Sequence, residues 1–333
     1  MLSVDDYVDI VRVVWKEVHP QRTVVDFVLH VLDHASKLGE AIRKEDVSSI
    51  LKEIAQTTNW LFGLVGRLND DKAGWEKRLT GPKFSHMIWN KYPNLCPHCF
   101  ERIYISKEGK TEAKTIARGI KRKCRHCLID YPKVETRSSD GNGQSNTGKL
   151  KQLSKDALRD YARSTLKEIP HSLQEMETMF HDIYTSSVAL ATVESIGFHL
   201  LEETGEMGRA VIDIYSKWKD TDLPEKEKLS SLSDEIAEVF AWLCSLTLKV
   251  REQAARFDKY DKKLTSPKLP SEDKGLADSV GLEKILWVEF RDEKTEQYRC
   301  PYCESPVCGC KVLFAWDETR GRKRGKHKSG KMG

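Results

Sequence analysis

The chain has no apolar run approaching the roughly 18 residues that a membrane-spanning helix needs. Its first residues, MLSVDDYVDIVRVVWKEV, set acids among apolar residues and lack the basic start and small-residue cleavage site of a secretory signal. These absences set the expectation of a cytoplasmic chain with no membrane partner. Charge of one sign is scarce too, because a net +4 over 333 residues is too little to imply a nucleic-acid partner by itself. Strand patterning is missing except around the cysteines, so the long stretches of 3.6-residue periodicity predict a mainly α protein. Apolar residues make up 39% and charged residues 32%, a balance that suits folded helical units. At this length two compact units are the default.

What the sequence does have is nine cysteines, eight of them in tight groups. In a reducing compartment such spacing points to thiolate metal sites and not to disulfides. Cys96 and Cys99 form CPHC, and 24 residues later Cys124 and Cys127 form CRHC, a pair of knuckles that reads as a zinc ribbon. CPYCESPVCGC places Cys300, Cys303, Cys308 and Cys310 within eleven residues, a tighter four-cysteine module. Four thiolates saturate zinc, so two structural zinc ions per chain are expected. The ninth cysteine, Cys244, lies in the apolar stretch EVFAWLCSLTL and reads as core filler.

The sequence also repeats itself. KEIAQTTNWLFGLVGRL, from Lys52, aligns without gaps on DEIAEVFAWLCSLTLKV, from Asp234. Upstream, HASKLGEAIR from His34 stands where LLEETGEMGR from Leu200 stands, and downstream MIWNKYPNLCPHC answers ILWVEFRDEKTEQYRCPYC. Gly, Ser and Asn from Glu135 to Lys149 read as a flexible linker, and a proline-containing, charged break follows Leu264. The expected division is residues 1–92, a first helical repeat; 93–132, a zinc ribbon; 133–150, a linker; 151–263, a second helical repeat; 264–278, a linker that detaches the last zinc module; 279–318, that second four-cysteine module; and 319–333, a basic tail. Ser3, Ser154 and Ser233 are expected helix N-caps.

Chemistry is concentrated in the second repeat. Along a helix expected from Thr192 to Ser216, Ile196, Leu200, Met207, Ala210 and Ile214 make an apolar row, and Glu203 falls inside it. Along a helix from Leu229 to Val250, Leu232, Val239, Trp242 and Leu246 enclose Glu235. Glu206 and Glu238 follow one turn on, so each helix carries an i, i+3 acid pair on one face. An unpaired carboxylate in an apolar row costs several kcal/mol unless it is protonated, paired or bound to a cation. Two matched intrusions suggest a hard divalent ion, Mg2+ or Mn2+.

At these residues the sequence resembles the MazG-like all-alpha nucleotide pyrophosphohydrolases, whose pattern is ExxE, a spacer, then ExxD. Here EETGE supplies Glu203 and Glu206, 28 residues intervene, and DEIAE supplies Glu235 and Glu238, the last standing where the family has Asp. The likeness spans about residues 173–260. It implies two MazG-like helical bundle repeats, and hydrolysis of a nucleoside triphosphate, ribo or deoxy, to the monophosphate and pyrophosphate. It also implies a dimeric bundle, formed either between copies of the chain or inside it as a pseudo-dimer. In the first repeat the pattern fails, because Lys37 and Gln56 stand beside Glu40 and Glu53. That copy is expected to bind no catalytic metal. Glu202 is the candidate to hold or deprotonate the attacking water, and Lys249, Arg251 and Arg256 are candidate phosphate contacts. A non-catalytic nucleotide sensor or a zinc-ribbon nucleic-acid adaptor is the alternative. Lys121, Arg122, Lys123 and Arg125 flank one knuckle, and the last fourteen residues hold seven Lys and Arg. Both could contact nucleic acid through charge alone.

Overall fold

Helix starts follow from capping chemistry. Ser3, Thr23 and Ser172 each accept from the backbone N–H three residues on, while Asp6, Asp26 and Glu175 return the bond to the cap, and Asp46 accepts from Ser49. These caps open α1 (Val4–Val14), α2 (Val24–Arg43), α3 (Val47–Leu68) and α6 (Leu173–Leu190). The remaining helices are α4 (Phe84–Lys91), α5 (Thr147–Ser164), α7 (Val193–Trp218), α8 (Lys226–Ala254) and α9 (Leu282–Phe290). The computed structural model describes residues 2–69, 83–100, 124, 127, 147–218, 226–254, 281–290, 297–301 and 303–308. Among these residues there is no strand beyond an isolated bridge at Tyr298, and no helix is long and apolar enough to cross a membrane.

Two expected boundaries move. Ser3 is a cap, but Ser154 and Ser233 lie inside α5 and α8. Helix α8 begins at Lys226, just beyond Pro224, because no helix breaker separates Lys226 from Ser233. Helix α5 begins at Thr147, within the stretch read as linker.

Helices α2 and α3 are joined by three residues, with Glu45 in the left-handed region at φ 54°, and so pack as an antiparallel hairpin. Helices α7 and α8 form the second such pair. The hairpins meet through α2 against α7 and α3 against α8. Gly197 lets α7 approach α2 closely, since a Cβ there would sit 2.6 Å from Ile42 Cδ1. Around this core the contacts come in matched pairs. Helix α1 packs on α3 as α6 packs on α8, and α1 meets α4 as α6 meets α9. The two remaining helices cross over, so that α4 packs on α8 while α9 packs on α3. This is the contact pattern of a two-fold arrangement inside one chain. Helix α5 is the exception, packing on α4 with no counterpart.

Rings from both halves fill the centre. Phe240 of α8 stands 5.1 Å from Phe84, 6.1 Å from Phe180 and 6.3 Å from Phe62, centroid to centroid. All four are fully buried, and each contributes about 1.5–3 kcal/mol by leaving water. A second cluster seats the C-terminal segment on α1, with Trp15 against Phe290 at 6.0 Å and Tyr7 against Trp287 at 6.4 Å. The segment after the 264–278 break, expected to be detached from the second bundle, is thus packed onto the first half while α9 also meets α6 of the second. The backbone N–H of Cys308 donates to the Val14 carbonyl at 2.6 Å.

Candidate metal centre

The acid pairs lie where α7 and α8 face each other. Ile196, Leu200, Met207 and Ile214 are buried along α7, as are Leu232, Val239 and Leu246 along α8, so the apolar rows carry Glu203 and Glu235 toward the helix interface. One oxygen each from Glu203, Glu206 and Glu235 lies within 4.8 Å of the others, close enough to share one cation. Glu206 is exposed and the other two are half-buried. Burial, reinforced by the charge of Glu238, pushes the Glu203 carboxyl up to about 9 and that of Glu235 up to about 8. Glu235 Oε2 is buried without a hydrogen-bond partner. Crowded, desolvated acids of this kind hold protons until a cation replaces them.

The fourth acid has a different neighbour. Glu238 forms an ion pair with Lys91 of α4, and both side chains are only 17% exposed. Burial disfavours both charges. The pairing outweighs it, holding Glu238 below the ordinary carboxylate range and Lys91 above the ordinary lysine range. The fourth acid thus stays against Glu203 and Glu235, sharing hydrogen bonds with both, while an ammonium from the other half of the chain pairs with its charge. Beside them Arg159 of α5 donates to Ser230 and lies 3.5 Å from Asp234. Sequence reasoning missed Lys91. The available signal was the repeat itself, because IWNK and LWVE place Lys91 opposite Glu289.

The equivalent place in the first repeat is filled by internal pairs. Gln56 Nε2 donates to Glu289 Oε1 of α9 at 2.7 Å, the counterpart of the Glu238–Lys91 contact. Glu53 lies 2.7 Å from His34 Nδ1, and Lys37 lies 2.5 Å from Asp33. Glu40 pairs with Arg43 at 2.7 Å and Lys44 at 2.9 Å. Each acid already has a protein partner.

Other expected residues are placed differently. Glu202 is exposed and lies 3.3 Å from His199 Nδ1, outside the three-acid group. Lys249 Nζ lies 3.4 Å from the Ala189 carbonyl and 3.2 Å from Glu252, because eleven residues of helix carry it about 16 Å beyond Glu238. The Arg251 charge bears on Glu177 of α6. Arg256, Cys310, the basic residues 121–123 and 125, and the tail 319–333 lie outside the described residues.

Two cysteine groups could hold zinc. The sulfurs of Cys96, Cys99, Cys124 and Cys127 lie within 4.8 Å of one another, as do those of Cys300, Cys303 and Cys308. In the first group hydrogen bonding to Cys124 pushes the Cys96 thiol up to about 12 and drives Cys99 upward as well. Such mutual protonation is what a cation relieves. Compared with known proteins, the chain matches no family model, no curated sequence and no solved structure.

Proposed function

We propose that the chain is a divalent-cation-dependent nucleoside triphosphate pyrophosphohydrolase, releasing a nucleoside monophosphate and pyrophosphate. The observation that carries this reading is the convergence of Glu203, Glu206 and Glu235 about one point with Glu235 Oε2 buried and unpartnered. Three carboxylate oxygens with an open side suit Mg2+ or Mn2+, which keep waters and bridge to phosphate oxygens. When bound, such an ion neutralises phosphate charge and acidifies a coordinated water.

The chain's own residues do the rest. Glu203 and Glu235, embedded in apolar rows, hold fixed oxygens in a low-dielectric wall, and the exposed Glu206 closes the set on the solvent side. Lys91 neutralises Glu238, so that the acids do not repel a polyphosphate with four full charges. The proton leaving the attacking water goes to a carboxylate or to solvent. Exposed Glu202 remains a proposed acceptor one residue from Glu203.

The test is product analysis with a nucleotide panel and Mg2+ or Mn2+. Wild-type protein should release pyrophosphate, and Glu206→Gln or Glu235→Gln should lower the rate at least a hundredfold with helicity unchanged. Near-normal turnover in both variants would sink the assignment. Binding of nucleotide without turnover by wild type would favour the sensor reading.

A further inference from the structure

Next to the acids, a shallow, open-sided cleft runs between α4, the first cysteine knuckle and α5, lined among others by Lys91, His98, Phe100, Lys155, Arg159 and Asp234. Two of its residues belong to both places. Lys91 lines the cleft and pairs with Glu238, and Asp234 immediately precedes Glu235. Lys91 therefore joins the cleft to the acid group through Glu238.

Its lining offers cations where the acid group offers carboxylates. Of its three cations, Lys91 is paired with Glu238 and Arg159 lies 3.5 Å from Asp234 and 3.8 Å from Asp156, which leaves Lys155 to set the charge of the opening. Lys155 is exposed at the rim. At the far wall Phe100 of the knuckle stands 6.2 Å from Tyr161 of α5, an aromatic surface beside the cations. Cations next to a divalent-metal site suit a polyphosphate, and an aromatic face beyond them suits a base. A single such face fits one nucleotide better than a strand, which needs successive stacking platforms along a groove.

We propose that this cleft is the nucleotide subsite, with Lys155 and Arg159 receiving the phosphate chain and Phe100 flanking the base. The inference rests on the reaction proposed above and deepens it. The first cysteine module then becomes a wall of the substrate site as well as a brace, since Pro97 and His98 lie between Cys96 and Cys99 and Phe100 follows Cys99.

Calorimetric titration of the zinc-loaded full chain with Mg2+ and inorganic tripolyphosphate tests the cleft without requiring turnover. Lys155→Glu, at an exposed position, should weaken tripolyphosphate at least tenfold. Phe100→Ala should weaken a nucleoside triphosphate more than it weakens tripolyphosphate. If wild type hydrolyses nucleotides while Lys155→Glu and Phe100→Ala leave KM and tripolyphosphate affinity unchanged, the cleft assignment fails and the reaction stands. If wild type hydrolyses nothing yet binds tripolyphosphate in a Lys155-dependent manner, the reaction fails and the cleft stands. No tripolyphosphate binding by wild type, or a Lys155 effect confined to a single-stranded oligonucleotide, overturns the subsite.

Discussion

The buried acid Glu177 shows how one side chain on this scaffold can make the whole fold pH-sensitive. It sits on α6 and accepts from the Leu282 N–H at 2.9 Å, filling the role of an N-cap for α9. Burial outweighs that bond and the nearby Arg251, and raises the carboxyl to about 7, with Glu283 adding to the shift. A folded-state value above the unfolded one means that the folded chain binds the extra proton. The stability it contributes is full below about 4.5 and is lost as pH rises through about 7. The expected loss is on the order of 3 kcal/mol. Urea midpoints of wild type should therefore fall between pH 5 and pH 8 by more than those of Glu177→Gln, which keeps the acceptor and stays neutral. Parallel pH dependence in the two proteins would refute this account. The sequence could not reveal Glu177, because what buries it is α9, more than a hundred residues away.

Among the elements, the hairpins were the most legible. Helices expected from Thr192 to Ser216 and from Leu229 to Val250 are found at Val193–Trp218 and Lys226–Ala254, because apolar periodicity and acid spacing are local properties of each segment. The pairing of the acids followed from the same periodicity. The crossing of α4 and α9 onto opposite hairpins did not, since either helix could have packed on its own repeat with the same apolar face. The caps tie the start of each crossing helix to a helix of its own half. Asp5 of α1 accepts from the Ser85 N–H at the start of α4 at 3.0 Å, much as Glu177 serves α9. Gly281 sits where a Cβ would stand 2.8 Å from the Glu177 carboxylate, which explains a residue without a side chain at that entry.

Each crossing helix leads into a cysteine group, and metal analysis should find about two zinc ions per chain. Cys99→Ser is expected to lose one of them and to lower the melting temperature, with the second ion retained. Absence of zinc from protein purified under reducing conditions, with the cysteines reactive toward a thiol reagent, would refute both sites.

Across the whole molecule, the crossing means that neither half encloses its own core. Phe84 of the first half is packed on Phe240 of the second, and Trp15 of the first half on Phe290 of the second. Fragments 1–146 and 147–333 expressed apart should lack a cooperative unfolding transition, and mixing them should restore one, read by circular dichroism. A cooperative transition in either fragment alone would contradict the shared core. The repeat made two similar units legible in the sequence. Their interlocking was not, because it depends on contacts between segments far apart in the chain.

The pairs Lys91–Glu238 and Gln56–Glu289 occupy matching places about the internal two-fold arrangement, yet one is ionic and the other is an amide on an acid. In a dimer of identical chains any substitution appears at both places at once. A lysine that suits one site would then be forced upon the other. Covalent linkage of the two halves removes that coupling, so each place can take its own pair of side chains, ionic at one and an amide on an acid at the other.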